Sequence, residues 1–122
     1  MPSILNIGQC DVDGPRMTEL FRRELRANVL RADNVGEAEQ ILQDQPVDLV
    51  LVNRELAFDD EPGIEVIDDL RRAGCAAPIM LVSDYEEAQE EALQHGAIRG
   101  FGKSQLQDPA TIQMLRDVIE PD

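Results

Sequence analysis

The sequence alternates short apolar segments with longer segments in which apolar residues recur at helical spacing. The five apolar segments have the length of strands and lie at 3–7, 29–32, 47–52, 78–82 and 98–101. The third of them is apolar apart from Asp48 and shows no polar alternation, which is typical of a central parallel strand that is covered on both faces. The pattern therefore predicts five strands, with the third near the middle of a sheet.

A helix is predicted after each strand, from an apolar stripe and from residues that begin or end helices. The helical segments are 16–26, the residues between 34 and Pro46, those between Pro62 and Gly74, 85–95, and those from Asp108 and Pro109 to 119. Asp33 or Asn34 can cap the second helix, and Asp84 with Glu87 forms a capping box for the fourth. Gly96 suits the left-handed residue that ends a helix.

Strands that alternate with helices of this length indicate right-handed crossovers and a parallel sheet between two layers of helices. The 122 residues suit one domain, so we predict a single doubly wound α/β domain over 1–122. The crevice beyond the carboxyl ends of the strands is the expected ligand site in such a domain. The residues predicted to meet there are Gly8, Gln9, Cys10, Asp11 and Asp13 after the first strand, 53–61 after the third, Ser83 and Asp84 after the fourth, and Lys103 after the fifth.

The charge balance excludes several classes of partner. Lys and Arg number 11 against 25 Asp and Glu, a formal net charge of -14, so we expect no direct binding to nucleic acid or to an acidic membrane surface. No apolar segment approaches the ~18 residues that a membrane span needs, and we expect a cytoplasmic protein. Cys10 and Cys75 lie far apart and the chain has one histidine, so neither a disulfide framework nor a zinc site is indicated.

Five segments in order resemble the receiver domain of bacterial response regulators, the CheY-like family. They are ILNI, NVGEAEQIL, DLVLVN, PIMLVS and GAIRGFGK, and they cover nearly the whole chain. The resemblance implies the flavodoxin-like strand order 2-1-3-4-5. It also implies phosphoryl transfer from a histidine kinase to an aspartate that ends the third strand, with magnesium held by an acidic pair after the first. By position, Ser83 and Lys103 match the family's hydroxyl and lysine that contact the phosphoryl group.

The phosphoacceptor position departs from the family pattern, because Asn53 stands where the family has its aspartate. A carboxylate can attack phosphorus, whereas an amide nitrogen is uncharged and its lone pair is delocalised, so we expect that Asn53 is not phosphorylated. Gly8 and Gln9 replace the acidic pair, and Asp11 and Asp13 come later in what is predicted to be a longer loop. Magnesium needs well-placed carboxylates, so we expect weak or lost Mg²⁺ binding and no cofactor.

Two further departures concern the switch that the resemblance implies. Gly100 stands where the family carries the aromatic residue that rotates on activation, with Phe101 beside it. Loss of the acceptor carboxylate also removes a partner of Lys103, and two unit charges 4 Å apart attract by ~4 kcal/mol at an effective dielectric of 20. The acids that could replace it are Glu55, Asp11, Asp13 and Asp84. A fixed pair of this kind would hold the domain in one state.

The fourth helix has a thin apolar stripe and is dominated by Glu86, Glu87, Glu90 and Glu91. In the family this helix, the fifth strand and the last helix form the face that binds partners or a second copy. We therefore expect a partner face made of these four acids and Phe101, which would suit a basic patch on a regulator or kinase. A homodimer through the same face is a second expectation.

These residues predict a pseudo-receiver, an interaction module of a two-component or phosphorelay pathway with no enzymatic activity. One alternative is a receiver-like switch triggered by a divalent cation or small ligand held by Asp11, Asp13, Glu55 and Asp59. Another is a small α/β enzyme with Cys10 or Ser83 as nucleophile, for which His95 is the only histidine that could serve as base.

Overall fold

A computed structural model describes residues 1–120 and contains five strands and five helices. The strands are β1 (Ser3–Ile7), β2 (Asn28–Ala32), β3 (Leu49–Asn53), β4 (Ile79–Val82) and β5 (Ile98–Phe101). The helices are α1 (Asp13–Leu25), α2 (Val35–Asp44), α3 (Gly63–Arg72), α4 (Glu86–Gln94) and α5 (Pro109–Ile119), with a short 3-10 turn at Lys103–Gln105. Residues 121 and 122 of the predicted domain lie outside the described residues.

The strands form one parallel sheet in the order β2-β1-β3-β4-β5, which confirms the predicted doubly wound fold and strand order. Helices α1 and α5 cover one face of the sheet, where Phe21 and Leu115 pack with Leu51 in one buried cluster. Helices α2, α3 and α4 cover the other, where Ile67 packs with Val50. Within residues 1–120 no helix has the length and apolar character of a membrane span.

Several helix boundaries agree with their predicted signals. The Asn34 carboxamide accepts a hydrogen bond from the Glu37 amide at 2.9 Å and so caps α2. The Asp108 carboxylate accepts from the Ala110 amide at 3.1 Å ahead of Pro109, the first residue of α5. Gly96 has φ +100°, the left-handed backbone predicted after α4.

The predicted capping box of α4 is wrong, because Asp84 has a different partner. Its carboxylate accepts hydrogen bonds from the hydroxyl and the amide of Ser104, at 2.5 and 3.3 Å. The helix begins at Glu86 without a side-chain cap, and the Ser83 hydroxyl accepts from the Tyr85 amide at 3.1 Å instead. The contact of Asp84 with Ser104, 20 positions away, therefore replaces the predicted local contact with Glu87.

Helix α1 begins at Asp13, three residues before the predicted start at Arg16, so Asp13 does not belong to a long loop. The turn is closed by Cys10, whose carbonyl accepts from the Gly14 amide at 2.8 Å. The Cys10 sulfur also accepts from the Asp13 amide at 3.4 Å. The earlier start places the Asp13 side chain in the first turn of a helix rather than in the predicted loop.

The loop after β3 is long but closed on itself. Leu56 donates its amide to the Glu61 carbonyl at 2.9 Å, and Glu55 and Pro62 form an isolated antiparallel bridge. The Leu56 side chain is fully buried and packs against Gly8, whose φ is +80°. A Cβ atom on Gly8 would lie 2.4 Å from Leu56 Cγ, so this close approach requires glycine.

Candidate functional site

Asn53 is the last residue of β3 and joins two neighbouring strand ends. Its Nδ2 atom donates a hydrogen bond to the carbonyl of Gly8 at 2.9 Å, and the same carbonyl accepts from the Ala57 amide at 2.9 Å. Because β1 and β3 are adjacent in the sheet, the residues that follow them meet at the carboxyl edge. The half-buried Asn53 amide thus acts as a structural donor between β3 and the loop after β1.

Lys103 is paired with Asp13, across 2.9 Å from Nζ to Oδ2. Of the four acids predicted as possible partners of Lys103, the structure brings Asp13 to it. The hydrogen bond from Lys103 lowers the pKa of the Asp13 carboxyl below its ordinary value, and partial burial opposes the shift. The Asp13 and Lys103 side chains are 23% and 31% exposed, so the pair is screened less than a surface ion pair.

Gln9 turns into the protein rather than toward the crevice. It is buried, and its Nε2 atom donates to Asn6 Oδ1 at 3.1 Å. The buried Asn6 amide in turn lies 3.6 Å from the sulfur of Met17 on α1. Two neutral amides therefore occupy the end of β1, and Asn6 is a member of this group that the sequence pattern did not single out.

The acids around the crevice are dispersed. Asp11 is exposed and its carboxylate lies 4.0 Å from Arg31, while Glu55 and Asp59 are exposed on the loop after β3. Burial, with Asp59 nearby, raises the pKa of the Glu61 carboxyl. Among residues 1–120 no group of three or more His, Cys, Asp or Glu side chains is placed to hold a metal ion. The residues of the cation-triggered alternative are therefore not gathered into one site, and weak magnesium binding stays a prediction.

The crevice itself is a cavity of about 510 Å³ at the carboxyl ends of β3 and β4. Its lining includes six of the residues that the sequence predicted to meet, Asn53, Arg54, Glu55, Ser83, Asp84 and Lys103, and two others, Val82 and Tyr85. The guanidinium of Arg54 lies over the Tyr85 ring, 4.9 Å from its centroid. This cation–π contact was missed, since neither residue carries a recognisable motif.

The position of the family's rotating aromatic residue leaves no space for a side chain. A Cβ atom on Gly100 would lie 2.3 Å from the Leu81 carbonyl oxygen. The buried side chain of Gln89 instead connects α4 to β4 and β5. Its Nε2 atom donates to the carbonyls of Leu81 and Ser83 at 2.9 and 3.1 Å, and its Oε1 atom accepts from the Gly100 amide at 2.9 Å. Sequence reasoning missed Gln89 because it lies among exposed glutamates.

The partner face stays a prediction, and the structure exposes its four acids but buries its aromatic residue. Glu86, Glu87, Glu90 and Glu91 are all exposed on α4. Phe101 is only 2% exposed and belongs to the core beneath α1 and α5, because the last residue of β5 points inward. Glu86 is paired with Arg99 of β5, and this hydrogen bond lowers the pKa of the Glu86 carboxyl.

The histidine of the enzyme alternative lies away from both candidate nucleophiles. His95 follows α4, and its Nδ1 atom lies 2.8 Å from the Asp68 carboxylate on α3. Ser83 precedes the same helix, whose nine residues span about 13 Å. Cys10 lies beyond β1, where its sulfur contacts the Asp13 amide. The structure therefore does not bring a histidine base to Ser83 or Cys10.

No protein-family model and no curated protein matches the sequence. Solved structures do match. A response regulator from Thermotoga maritima is similar with a TM-score of 0.78 and 19% identity over 98% of each chain. The receiver domain of NtrX from Brucella abortus is similar with a TM-score of 0.77 and 19% identity, and the match covers 98% of this chain and 99% of the other.

The receiver domain of the TMAO respiratory system response regulator TorR gives a TM-score of 0.72 and 24% identity, covering 94% of this chain and 90% of the other. Sequence identities this low show that the backbone fold is shared, and they do not show that the chemistry of a site is shared. These three matches span nearly the whole of both chains and agree with the fold and strand order described above. The chain thus has the fold of a response regulator receiver domain.

Proposed function

We propose that the protein is a receiver-like module of two-component or phosphorelay signalling that works without phosphorylation, through contacts with another protein. The observation that carries this proposal is the Asn53 carboxamide at the end of β3, hydrogen-bonded to the Gly8 carbonyl at 2.9 Å. A receiver that is phosphorylated needs a free carboxylate at that point to form the acyl phosphate.

The chemistry around Asn53 supports the same conclusion. An amide offers no charged oxygen for attack on phosphorus, and its N–H is already donated to Gly8. The Lys103 ammonium, which would stabilise a phosphoryl group, has its charge compensated by Asp13 at 2.9 Å. The Asn53 amide and the Lys103 ammonium are thus both paired with groups of the protein itself.

The region that would transmit a switch is also fixed by internal contacts. Gln89 joins α4 to β4 and β5 through three hydrogen bonds, and Gly100 leaves no aromatic side chain to rotate. A domain without such a moving part is suited to a constant binding surface. The exposed acids of α4 provide one such surface, and a basic patch on a regulator or kinase would complement it.

Exposure to acetyl phosphate with Mg²⁺, followed by intact mass spectrometry, tests the proposal. We expect no gain of a phosphoryl group in the parent protein. The variant Asn53→Asp serves as the comparison, because it restores the carboxylate at the same position. A phosphoryl group on the parent protein, whether stable or labile in acid, would contradict the proposal.

A further inference from the structure

Three large apolar side chains are exposed in loops at the carboxyl edge of the sheet. Val12, Phe58 and Tyr85 are 73%, 53% and 58% exposed. The chain has only four aromatic residues, three Phe and one Tyr, and the other two, Phe21 and Phe101, are buried in the core. Half of the aromatic residues therefore lie on the surface at one edge of the sheet. Their exposure to water is unfavourable unless another molecule covers them.

The three residues stand in neighbouring loops, and we call the surface that these loops form the apolar rim. Their loops follow β1, β3 and β4, which are consecutive strands in the sheet. Ala57, next to Phe58, donates its amide to the Gly8 carbonyl and so joins the loop after β3 to the loop after β1. The contact of Arg54 with the Tyr85 ring joins it to the loop after β4.

The central loop of the apolar rim is held rigidly in place. Leu56 is fully buried, the loop is closed by the Leu56–Glu61 hydrogen bond, and the Glu55–Pro62 bridge lies at its base. Phe58 is thus presented on a fixed support, so a partner that packs against it does not need to order the loop.

The surroundings of the apolar rim are acidic. Exposed carboxylates stand in all three loops, at Asp11, Glu55, Asp59, Asp60 and Asp84. The positive charge of Lys103 is compensated by Asp13, which leaves Arg54 beside Tyr85 as the remaining cation of the crevice lining. The five exposed acids outnumber the nearby cations Arg54 and Arg31, and this excess of negative charge around the exposed aromatic side chains complements a cationic, amphipathic partner.

We propose that the apolar rim is a docking site for a basic amphipathic helix of a partner protein. The apolar side chains of the partner helix would pack on Phe58 and Tyr85, with Val12 at the border of the contact. The Lys and Arg side chains of the helix would face the acids of the loops. A second copy of this chain is a poorer occupant, because it would bring the same acids into contact with one another. The net charge of the chain, -14, disfavours binding to nucleic acid and to anionic lipid. The inference rests on the proposed interaction function and adds the surface and the chemistry of the partner.

The sole tyrosine makes the test direct, because the chain contains no tryptophan and Tyr85 fluorescence reports on the apolar rim alone. The probe is a synthetic amphipathic peptide about 16 residues long, built from Leu and Lys at helical spacing and without aromatic residues. We expect the peptide to shield Tyr85 from quenching by acrylamide. A peptide with Glu in place of every Lys should leave the quenching unchanged.

The double variant Val12→Ser, Phe58→Ser should weaken peptide binding at least about tenfold while keeping Tyr85 as reporter. Its matched control is Leu93→Ser, Ile98→Ser, which removes two large exposed apolar residues from α4 and β5 and should bind like the parent. Equal weakening in both double variants, or none in the first, would overturn the apolar rim as the docking site.

Amide NMR shifts separate this inference from the proposed function. Shifts confined to the loops after β1, β3 and β4 support docking at the apolar rim. Shifts centred on α4 would overturn it and leave an interaction module that uses its acidic helix. Self-association of the parent that is lost in the Val12→Ser, Phe58→Ser variant would make a second copy the occupant, and would also overturn it. Phosphoryl addition to the parent would instead contradict the proposed function.

Discussion

The Lys103 ammonium lies 2.9 Å from the Asp13 carboxylate and so bonds the segment after β5 to the first turn of α1. These residues are 90 positions apart in the chain, and each is less than a third exposed. The acid stands at a helix N-terminus, where a carboxylate is also favoured by the helix dipole. One pair therefore neutralises the lysine of the crevice and restrains two of the loops around it.

Asp13→Asn should lower the free energy of unfolding at neutral pH by about 1 kcal/mol, since it leaves Lys103 without an anionic partner. The pKa of Asp13 lies below its ordinary value of 3.8 in the folded protein. The stabilisation is thus present above that value and is lost as the pH falls through the lower, folded pKa. Urea unfolding across a pH series should show the parent and the variant converging in acid.

A double-mutant cycle with Lys103→Met isolates the pair. The two single changes should not add, because each removes the same contact. The coupling should shrink as salt is raised, although less than for a fully exposed ion pair. Additive changes, or a parent and a Lys103→Met variant with the same salt dependence, would show that the pair does not hold the domain in one state.

Asn53→Asp should destabilise the protein at neutral pH by about 1 to 2 kcal/mol, although it restores the residue typical of the family. The amide donates to the Gly8 carbonyl, and a carboxylate would place two acceptors against each other at that contact. Protonation restores a donor, so the loss should diminish below the pKa of the new acid. Asn53→Ala is the control, because it removes the hydrogen bond at every pH and adds no charge.

Gln89→Leu should cost about 2 to 4 kcal/mol, since it leaves the Leu81 and Ser83 carbonyls and the Gly100 amide without this partner in a buried place. The exposed Gln94 lies on the same helix, and Gln94→Leu should change stability by less than about 0.5 kcal/mol. Thermal unfolding gives the stabilities. Hydrogen exchange of the Gly100 amide should accelerate in the first variant alone, and unchanged exchange would show that Gln89 does not hold β5.

Gly100→Ala should destabilise the fold by about 1 to 3 kcal/mol, because even one methyl group meets the Leu81 backbone oxygen. Gly36→Ala is the matched control on α2, where the nearest atom is the Asn34 side-chain oxygen at 3.3 Å. Helix propensity favours alanine there, so the change should be less than about 1 kcal/mol in either direction. Denaturant midpoints compare the two, and a neutral Gly100→Ala would mean that β4 and β5 separate readily.

The fold and the position of Asn53 could be derived from the order of the residues alone. Apolar segments of strand length, helical stripes and the caps at Asn34 and Asp108 depend on neighbours within a few positions, so periodicity and propensity predict them. The alternation of strands and helices then restricts the chain to a parallel, doubly wound sheet, which places every loop after a strand at one edge.

Only the tertiary structure decided which side chains meet at that edge. Four acids were available to Lys103, and the earlier start of α1 selected Asp13. Asp84 contacts Ser104 instead of capping α4, and Phe101 points into the core. Such choices depend on distances between segments far apart in the chain and on the competition of several partners for one group. The local sequence pattern does not predict which partner is chosen, because the choice is made only when the helices pack against the sheet.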